Sequence, residues 1–191
     1  QLFFDPRLSA DQTVSCASCH HPDNGYSKDT RFGVGIGGQE GGRNSPISYN
    51  RILSSLQFWD GRAVDLKDQA GQPLLNPVEM GMPDQSAIAE RIRENSNYME
   101  GFARLYGAEN LDDDDLIMDY ATAALAAYQS TPEFAPFDSK FDRWRRGEVE
   151  LTAQEEFGYT VFVTWNCRLC HQLQRQGVTD REPFTSFEYH N

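Results

Sequence analysis

Cys16-Ala17-Ser18-Cys19-His20 constrains this chain more than any other stretch. Two thiols three positions apart, followed at once by an imidazole, form the C-x-x-C-H attachment word of a c-type haem. The spacing has a chemical reason. Each thiol adds across one haem vinyl group to make a thioether, and the adjacent His then lies under the iron and supplies the proximal nitrogen. The word recurs at Cys167-Arg168-Leu169-Cys170-His171, and the two copies use all four cysteines of the chain. A zinc site explains this less well, because the two C-x-x-C pairs lie far apart and each carries its own His. Two disulfides would each close a very small loop and would leave the two following histidines without a purpose. The reading is two covalently bound haem c groups.

At 191 residues the chain has room for one large domain or two small ones. Its hydrophobic content of 39% is thin for that length, and porphyrin surface would supply the missing apolar bulk. A net charge of −12 argues against nucleic acid as a partner. It suits the basic patch of a small electron-transfer protein. The sequence contains no apolar run long enough to span a membrane. No signal peptide is evident, and Gln1 reads as a start inside a mature or trimmed chain. Covalent haem attachment normally takes place outside the bacterial cytoplasm, so the expected location is the periplasm.

Leu2 to Arg7 is a short apolar lead-in closed by Pro6, and Ser9 is a plausible cap for the turn that leads to the first haem word. Six glycines fall between Gly33 and Gly42. No strand precedes them and no Lys-Ser/Thr follows, so this is not a nucleotide loop. Two readings stand: a backbone that passes close to a flat ligand, or a flexible surface loop. Beyond Pro46 the pattern is helical. Asp84 can cap a segment with Ala87, Ile88, Ala89 and Ile92 on one side. Ser96 can cap the next, with Tyr98, Phe102 and Leu105 inward and Gly107 as its stop. Asp112 to Asp115 fits the first turn of a helix over Leu116–Tyr128, facing the positive end of the dipole, better than a calcium loop. Thr152 and Glu155 form a capping box that opens the helix delivering the second haem word. No period-2 strands stand out, so the class is mostly α with long loops.

With these residues in view, the chain resembles the bacterial di-haem cytochrome c peroxidases and their relative MauG. The matching words are L-F-F-D-P-R-L-S (2–9), C-A-S-C-H, G-G-R-N-S-P (41–46), Q-F-W-D-G-R (57–62) and N-P-V-E-M (76–80). The resemblance covers nearly the whole chain. It implies two tandem cytochrome-c-like haem domains: 1–130 with the peroxide-reacting haem, and 131–191 as the start of an electron-transfer haem domain that continues beyond this chain. By the same resemblance, Cys16, Cys19 and His20 hold the first haem, and Cys167, Cys170 and His171 the second. Glu79 matches the distal acid/base, and Gln69 a second distal polar residue. Trp59 matches the tryptophan between the haems, and Asn44 a ligand of an inter-haem calcium. Read without the resemblance, Trp59 would be a core aromatic and Glu79 a surface carboxylate.

Two departures from the family pattern matter. Classical members carry a His in the glycine loop that caps the resting first iron, and here Ile36 stands in that position. Gln39 and Tyr26 are the other loop side chains that could swing in, and both are poor or unusual ligands. The family also runs well past the second haem word, so the sixth ligand of the second haem is expected beyond Asn191. Met80, Met82, Met99 and Met118 all precede the second site and do not match. The implied activity is reduction of hydrogen peroxide with electrons from a small cytochrome c or cupredoxin. The alternative is a MauG-like oxidase that uses peroxide to oxidise tryptophan or another residue of a partner protein. A pure di-haem electron carrier is a third reading. It is weakened because His20 and His171 are already proximal, His21 cannot reach round its neighbour's haem, and His190 is close in sequence to the second site. Denatured protein should keep both porphyrins, with a mass above that of the chain by two haems; a mass with one haem or none would contradict the reading of the two words.

Overall fold

The computed structural model describes residues 1–171. The chain forms two compact units, one from Gln1 to Phe134 and the other from Ala135 onward. The first unit contains helices α1 (Cys16–Cys19), α2 (Leu66–Leu75), α3 (Gln85–Arg93), α4 (Ser96–Tyr106) and α5 (Asp114–Gln129). Among the described residues, strand-like pairing is limited to the isolated bridges His21–Ser27, Val34–Glu40 and Gln57–Ala63. The mostly α architecture with long loops is as the sequence implies.

Helix starts follow local chemistry. Asp84 accepts a hydrogen bond from the Ala87 N–H (2.8 Å), and Asp113 accepts one from the Leu116 N–H (3.1 Å). Two acidic residues, Asp114 and Asp115, then sit in the first turn of α5, where the helix dipole favours them. Three expectations need correction. The cap of α4 is Asn95, whose side chain accepts from Asn97 N–H; Ser96 is already helical. Ser9 does not cap α1. It is buried, donates to the Pro6 carbonyl and accepts from Val14 N–H, while Ser15 precedes α1 and forms a capping box with Ser18. Leu105 continues the Tyr98–Phe102 face by one turn but is 66% exposed, because only a shallow surface groove lies beside it.

The core of the first unit is built on α5. Both α2 and α3 pack against it, burying Ile88, Ile92, Ile117 and Ala121 almost completely. The sequence reading did not single out α2, and Gly71 and Pro73 inside it explain why. Gly71 has a packing role: a Cβ there would meet Met118 Cε at 3.3 Å and Thr122 Cγ2 at 3.5 Å, so the glycine sets how closely α2 crosses α5. The N-terminal lead-in folds back on this core through buried Leu2, Phe3 and Leu8. Buried Asp5 anchors it to α4 by accepting from the Tyr98 hydroxyl at 2.7 Å.

The second unit holds α6 (Lys140–Arg145) and α7 (Ala153–Thr164). Thr152 and Glu155 form the expected capping box, and Lys140 pairs with Glu155 at 2.6 Å. Phe141, Trp144 and Tyr159 cluster between the two helices. His190 lies outside the described residues.

One contact places the glycine loop. Ile36 N–H donates to the Glu79 carbonyl (2.9 Å), and a Cβ on Gly35 would stand 1.9 Å from the Val78 carbonyl oxygen and 2.5 Å from that of Glu79. These are backbone atoms, so they cannot move aside like a flexible side chain. Gly35→Ala should therefore cost about 2–3 kcal/mol in thermal or denaturant unfolding. Gly42→Ala, which meets nothing within 4 Å, should stay within about 0.5 kcal/mol. Equal effects at the two positions would contradict the close approach.

Candidate functional site

The first C-x-x-C-H word opens onto a cavity of about 320 Å³ in the first unit. Cys16, Cys19 and His20 lie in its wall. Burial pushes the Cys16 thiol up to about 12, so it stays protonated. Burial also lowers the pKa of His20, which keeps the imidazole neutral. His20 Nδ1 lies 3.2 Å from the Tyr26 carbonyl oxygen and 3.1 Å from Ser48 Oγ. A carbonyl can only accept, so the proton sits on Nδ1 and the Nε2 lone pair is left for a metal. Ser48 N–H donates to the same Tyr26 carbonyl (3.0 Å) and fixes its direction.

Gly33, Gly35, Gly41 and Gly42 form a second stretch of wall. The loop's glycines divide by position. These four give a side-chain-free surface at the cavity. Gly37 and Gly38, both at positive φ (60° and 73°), make the loop's tip outside it. Ile36 is not in the wall. Its side chain lies over Gly81, where a Cβ would come within 2.1 Å of Ile36 Cδ1. Gln39 Nε2 instead donates to the Ile36 and Pro77 carbonyls. The Tyr26 ring packs away from the cavity, on Phe134 (ring centroids 4.2 Å apart).

A third stretch of wall comes from α2 and the turn that follows it. Gln69, Ala70 and Pro73 contribute from the helix, and Val78, Glu79 and Met80 from the turn. Asn76 builds the turn: its Oδ1 accepts from Val78 N–H (3.0 Å), and its carbonyl accepts from Glu79 N–H (3.0 Å) and Gly81 N–H (2.8 Å). Asn76 Nδ2 also donates to Glu79 Oε1 at 2.8 Å. Glu79 is thus a half-buried cavity carboxylate rather than an outer-surface one. Desolvation by burial raises its pKa, and the Arg62 charge and the Asn76 hydrogen bond pull it back.

Loop 57–63, closed by the Gln57–Ala63 bridge, presents Phe58 and Trp59 at the cavity mouth. Trp59 is not a core aromatic: it is 57% exposed, with Nε1–H donating to the Asn44 carbonyl at 2.9 Å. Arg62 lies over the Phe58 ring (3.5 Å) and, with Arg43, grips Asp60. The Arg43 hydrogen bond first, then that from Arg62, holds the Asp60 carboxyl down at about 2. The side-chain amide of Asn44 donates to the Lys28 and Thr30 carbonyls. Among the described residues there is no cluster of three His, Cys, Asp or Glu able to hold a metal ion.

A family model described as di-haem cytochrome c peroxidase matches residues 1–150. The chain belongs to this family. It is 53% identical to the methylamine utilization protein MauG of Paracoccus denitrificans, covering all of this chain and 54% of that protein. It is 38% identical to the cytochrome c peroxidase Ccp of Escherichia coli over 89% of this chain and 35% of the relative. The crystal structure of the di-haem peroxidase BthA from Burkholderia thailandensis superposes with a TM-score of 0.87 at 28% identity, over 97% of this chain and 51% of that one. The chain therefore spans about half the length, or less, of these relatives. Membership of a di-haem cytochrome c peroxidase family implies haem c as cofactor, and the first cavity fits such a group. It combines two thiols and a neutral imidazole with a glycine wall that leaves space for a flat ring.

The structure brings Cys16, Cys19, His20, Gln69, Glu79, Trp59 and Asn44 to one cavity. Cys167, Cys170 and His171 belong to the second unit, where both thiols are exposed just beyond α7. Sequence reasoning missed Asn76, Arg62 and Ser48. The first two lie inside the words N-P-V-E-M and Q-F-W-D-G-R, whereas Ser48 carries no signal of its own.

The Glu79 pKa makes a prediction with a definite sign. Its folded value lies above the 4.5 of an exposed glutamate, so the folded chain keeps a proton that the unfolded chain gives up. The stability Glu79 contributes is full below 4.5 and declines as pH rises through the folded value. Glu79→Gln removes that decline. The melting temperature of the variant minus that of the wild type should therefore increase between about pH 4 and pH 8; a flat or falling difference would contradict the burial.

Proposed function

We propose that this chain carries the peroxide-reacting haem, and the attachment word of an electron-transfer haem, of an oxidoreductase that reduces hydrogen peroxide to water. The reductant in this reading is a small cytochrome c or cupredoxin, and the compartment is the periplasm, where covalent haem attachment takes place. Among the described residues no helix is long and apolar enough to cross a membrane. One observation carries the proposal: Glu79 and Gln69 share a cavity with Cys16, Cys19 and His20, while Ile36, Gln39 and Tyr26 stay out of its wall.

Haem, when bound, supplies the iron that takes peroxide and a ring that exchanges electrons. The chain's own residues do the rest. Cys16 and Cys19 would tether the ring, and His20 would supply Nε2 to the iron. Glu79, positioned by Asn76, would take a proton from peroxide in the cavity and return it to the oxygen that leaves as water. Its raised pKa suits both halves of that transfer. Gln69 orients the peroxide from α2. Trp59, at the cavity mouth, would pass electrons to and from this haem, while Cys167, Cys170 and His171 would hold the second. Asn44 would supply its side-chain oxygen to a calcium ion.

A MauG-like oxidase, which would use peroxide to oxidise a partner protein's tryptophan or another residue, is the second reading. Ile36 packed on Gly81 favours it, as does the higher identity to the Paracoccus protein. A pure electron carrier would close the first iron with a second protein ligand. The only described histidine in the cavity wall is His20.

Glu79→Gln keeps shape and polarity but removes the titrating proton. Stopped-flow mixing with peroxide should show the haem spectral change slowed by roughly 100- to 10,000-fold, with haem content unchanged. A rate equal to the wild type would remove Glu79 from the reaction.

A further inference from the structure

Next to His20, on its Nδ1 side, lies a group the peroxide reaction does not use. Tyr26 is 2% exposed, and its carbonyl is the acceptor for His20 Nδ1. Its phenol makes two hydrogen bonds, to the Tyr128 hydroxyl (3.0 Å) and to the Glu133 carboxylate. A phenol has one proton to give, and a carboxylate can only accept. The direction follows: Tyr128 O–H donates to Tyr26, and Tyr26 O–H donates to Glu133. Tyr128 is partly exposed and Glu133 exposed, so this chain of bonds leads from the buried phenol to solvent. Phe3, which lines the cavity, packs edge-on against both tyrosine rings, with centroids 5.9 Å and 5.3 Å away. The two phenols thus stand one aromatic layer behind the haem cavity.

We propose that Tyr26 is a one-electron donor to the first haem and Tyr128 the next station, with Glu133 as proton acceptor. The pair would form a route that carries oxidising equivalents to the surface when no protein electron donor is docked. The proposal rests on the peroxide-reacting role given above to the first haem. In the first step Tyr26 gives one electron to the haem that peroxide has oxidised. Its O–H bond breaks, and the proton forms an O–H bond on the Glu133 carboxylate, leaving a neutral tyrosyl radical. In the second step Tyr128 passes one hydrogen atom along the 3.0 Å bond. Tyr26 is restored and the radical sits on Tyr128. One electron from a small-molecule reductant in solution, with the proton held by Glu133, returns Tyr128 to a phenol. An isolated buried tyrosine would oxidise less readily, because its proton would have nowhere to go. Here the acceptor is already hydrogen-bonded.

The test uses full-length haem-loaded protein, frozen at intervals after mixing with excess peroxide and no reductant. Electron paramagnetic resonance should show a tyrosyl radical whose hyperfine structure collapses with ring-deuterated tyrosine. Tyr26→Phe keeps the ring and the carbonyl on His20 and should abolish the radical, while the haem spectrum still responds to peroxide. Tyr128→Phe should leave the radical on Tyr26 with a longer lifetime. Glu133→Gln keeps a hydrogen-bond acceptor of low basicity and should slow radical formation by about 10-fold or more. A merely structural pin would alter melting temperature and not these signals. An undiminished radical in Tyr26→Phe, or no tyrosyl radical in wild type whose haem spectrum does respond, would overturn the relay and leave the peroxide reaction standing. A haem spectrum indifferent to peroxide would overturn both.

Discussion

The site depends on a backbone contact between two distant loops. Gly35 lies against the carbonyls of Val78 and Glu79 at a separation no side chain would allow, and the Ile36 N–H closes the contact by donating to Glu79. This one junction has two consequences. It clamps the turn that carries the Glu79 carboxylate, and it turns the Ile36 side chain outward over Gly81. Gly81 sits at a φ of 65° and has no Cβ to collide with that isoleucine. The glycine-rich loop therefore both walls the cavity and supports the turn that carries Glu79.

The cavity is asymmetric in its chemistry. On one face a neutral His20 is oriented by the Tyr26 carbonyl and Ser48. On another a carboxylate of raised pKa is held by a single amide donor, with the Arg62 charge opposing its desolvation. A buried imidazole with its proton directed away is suited to binding a metal. A cavity carboxyl whose pKa burial raises is suited to moving a proton. The arginines at the mouth are held by Asp60, which keeps Arg62 near enough to act on Glu79.

Much of this was legible in the residues, because it rests on chemistry local in sequence. The attachment words, the Asp84 and Asp113 caps and the Thr152–Glu155 box all act within a few residues. What was illegible depends on residues brought together by the fold. Gly71 reads as a helix breaker until α5 is placed against it. Ser9 reads as a cap until its hydroxyl turns back to Pro6. Ser96 and Asn95 are adjacent competitors, and the asparagine's longer reach to Asn97 N–H decides between them. Leu105 lies on the right face of its helix but past the end of its cover. Asn76, Ser48 and Arg62 act only through partners that the fold supplies. For Trp59 and Glu79, base rates favoured the core and the outer surface. The structure places the tryptophan at a cavity mouth and the carboxylate inside the cavity.

Among the described residues, no side chain of the glycine loop is placed to ligate an iron held by His20, because Ile36 lies over Gly81 and Gln39 and Tyr26 are engaged elsewhere. Electron paramagnetic resonance of the fully oxidised, as-isolated full-length protein tests this directly. An open site gives a high-spin ferric signal from the first haem, which then reacts with hydrogen peroxide without prior reduction of the second. Two low-spin ferric signals and no high-spin signal would mean that a side chain caps the first iron, in contradiction to the arrangement of the loop.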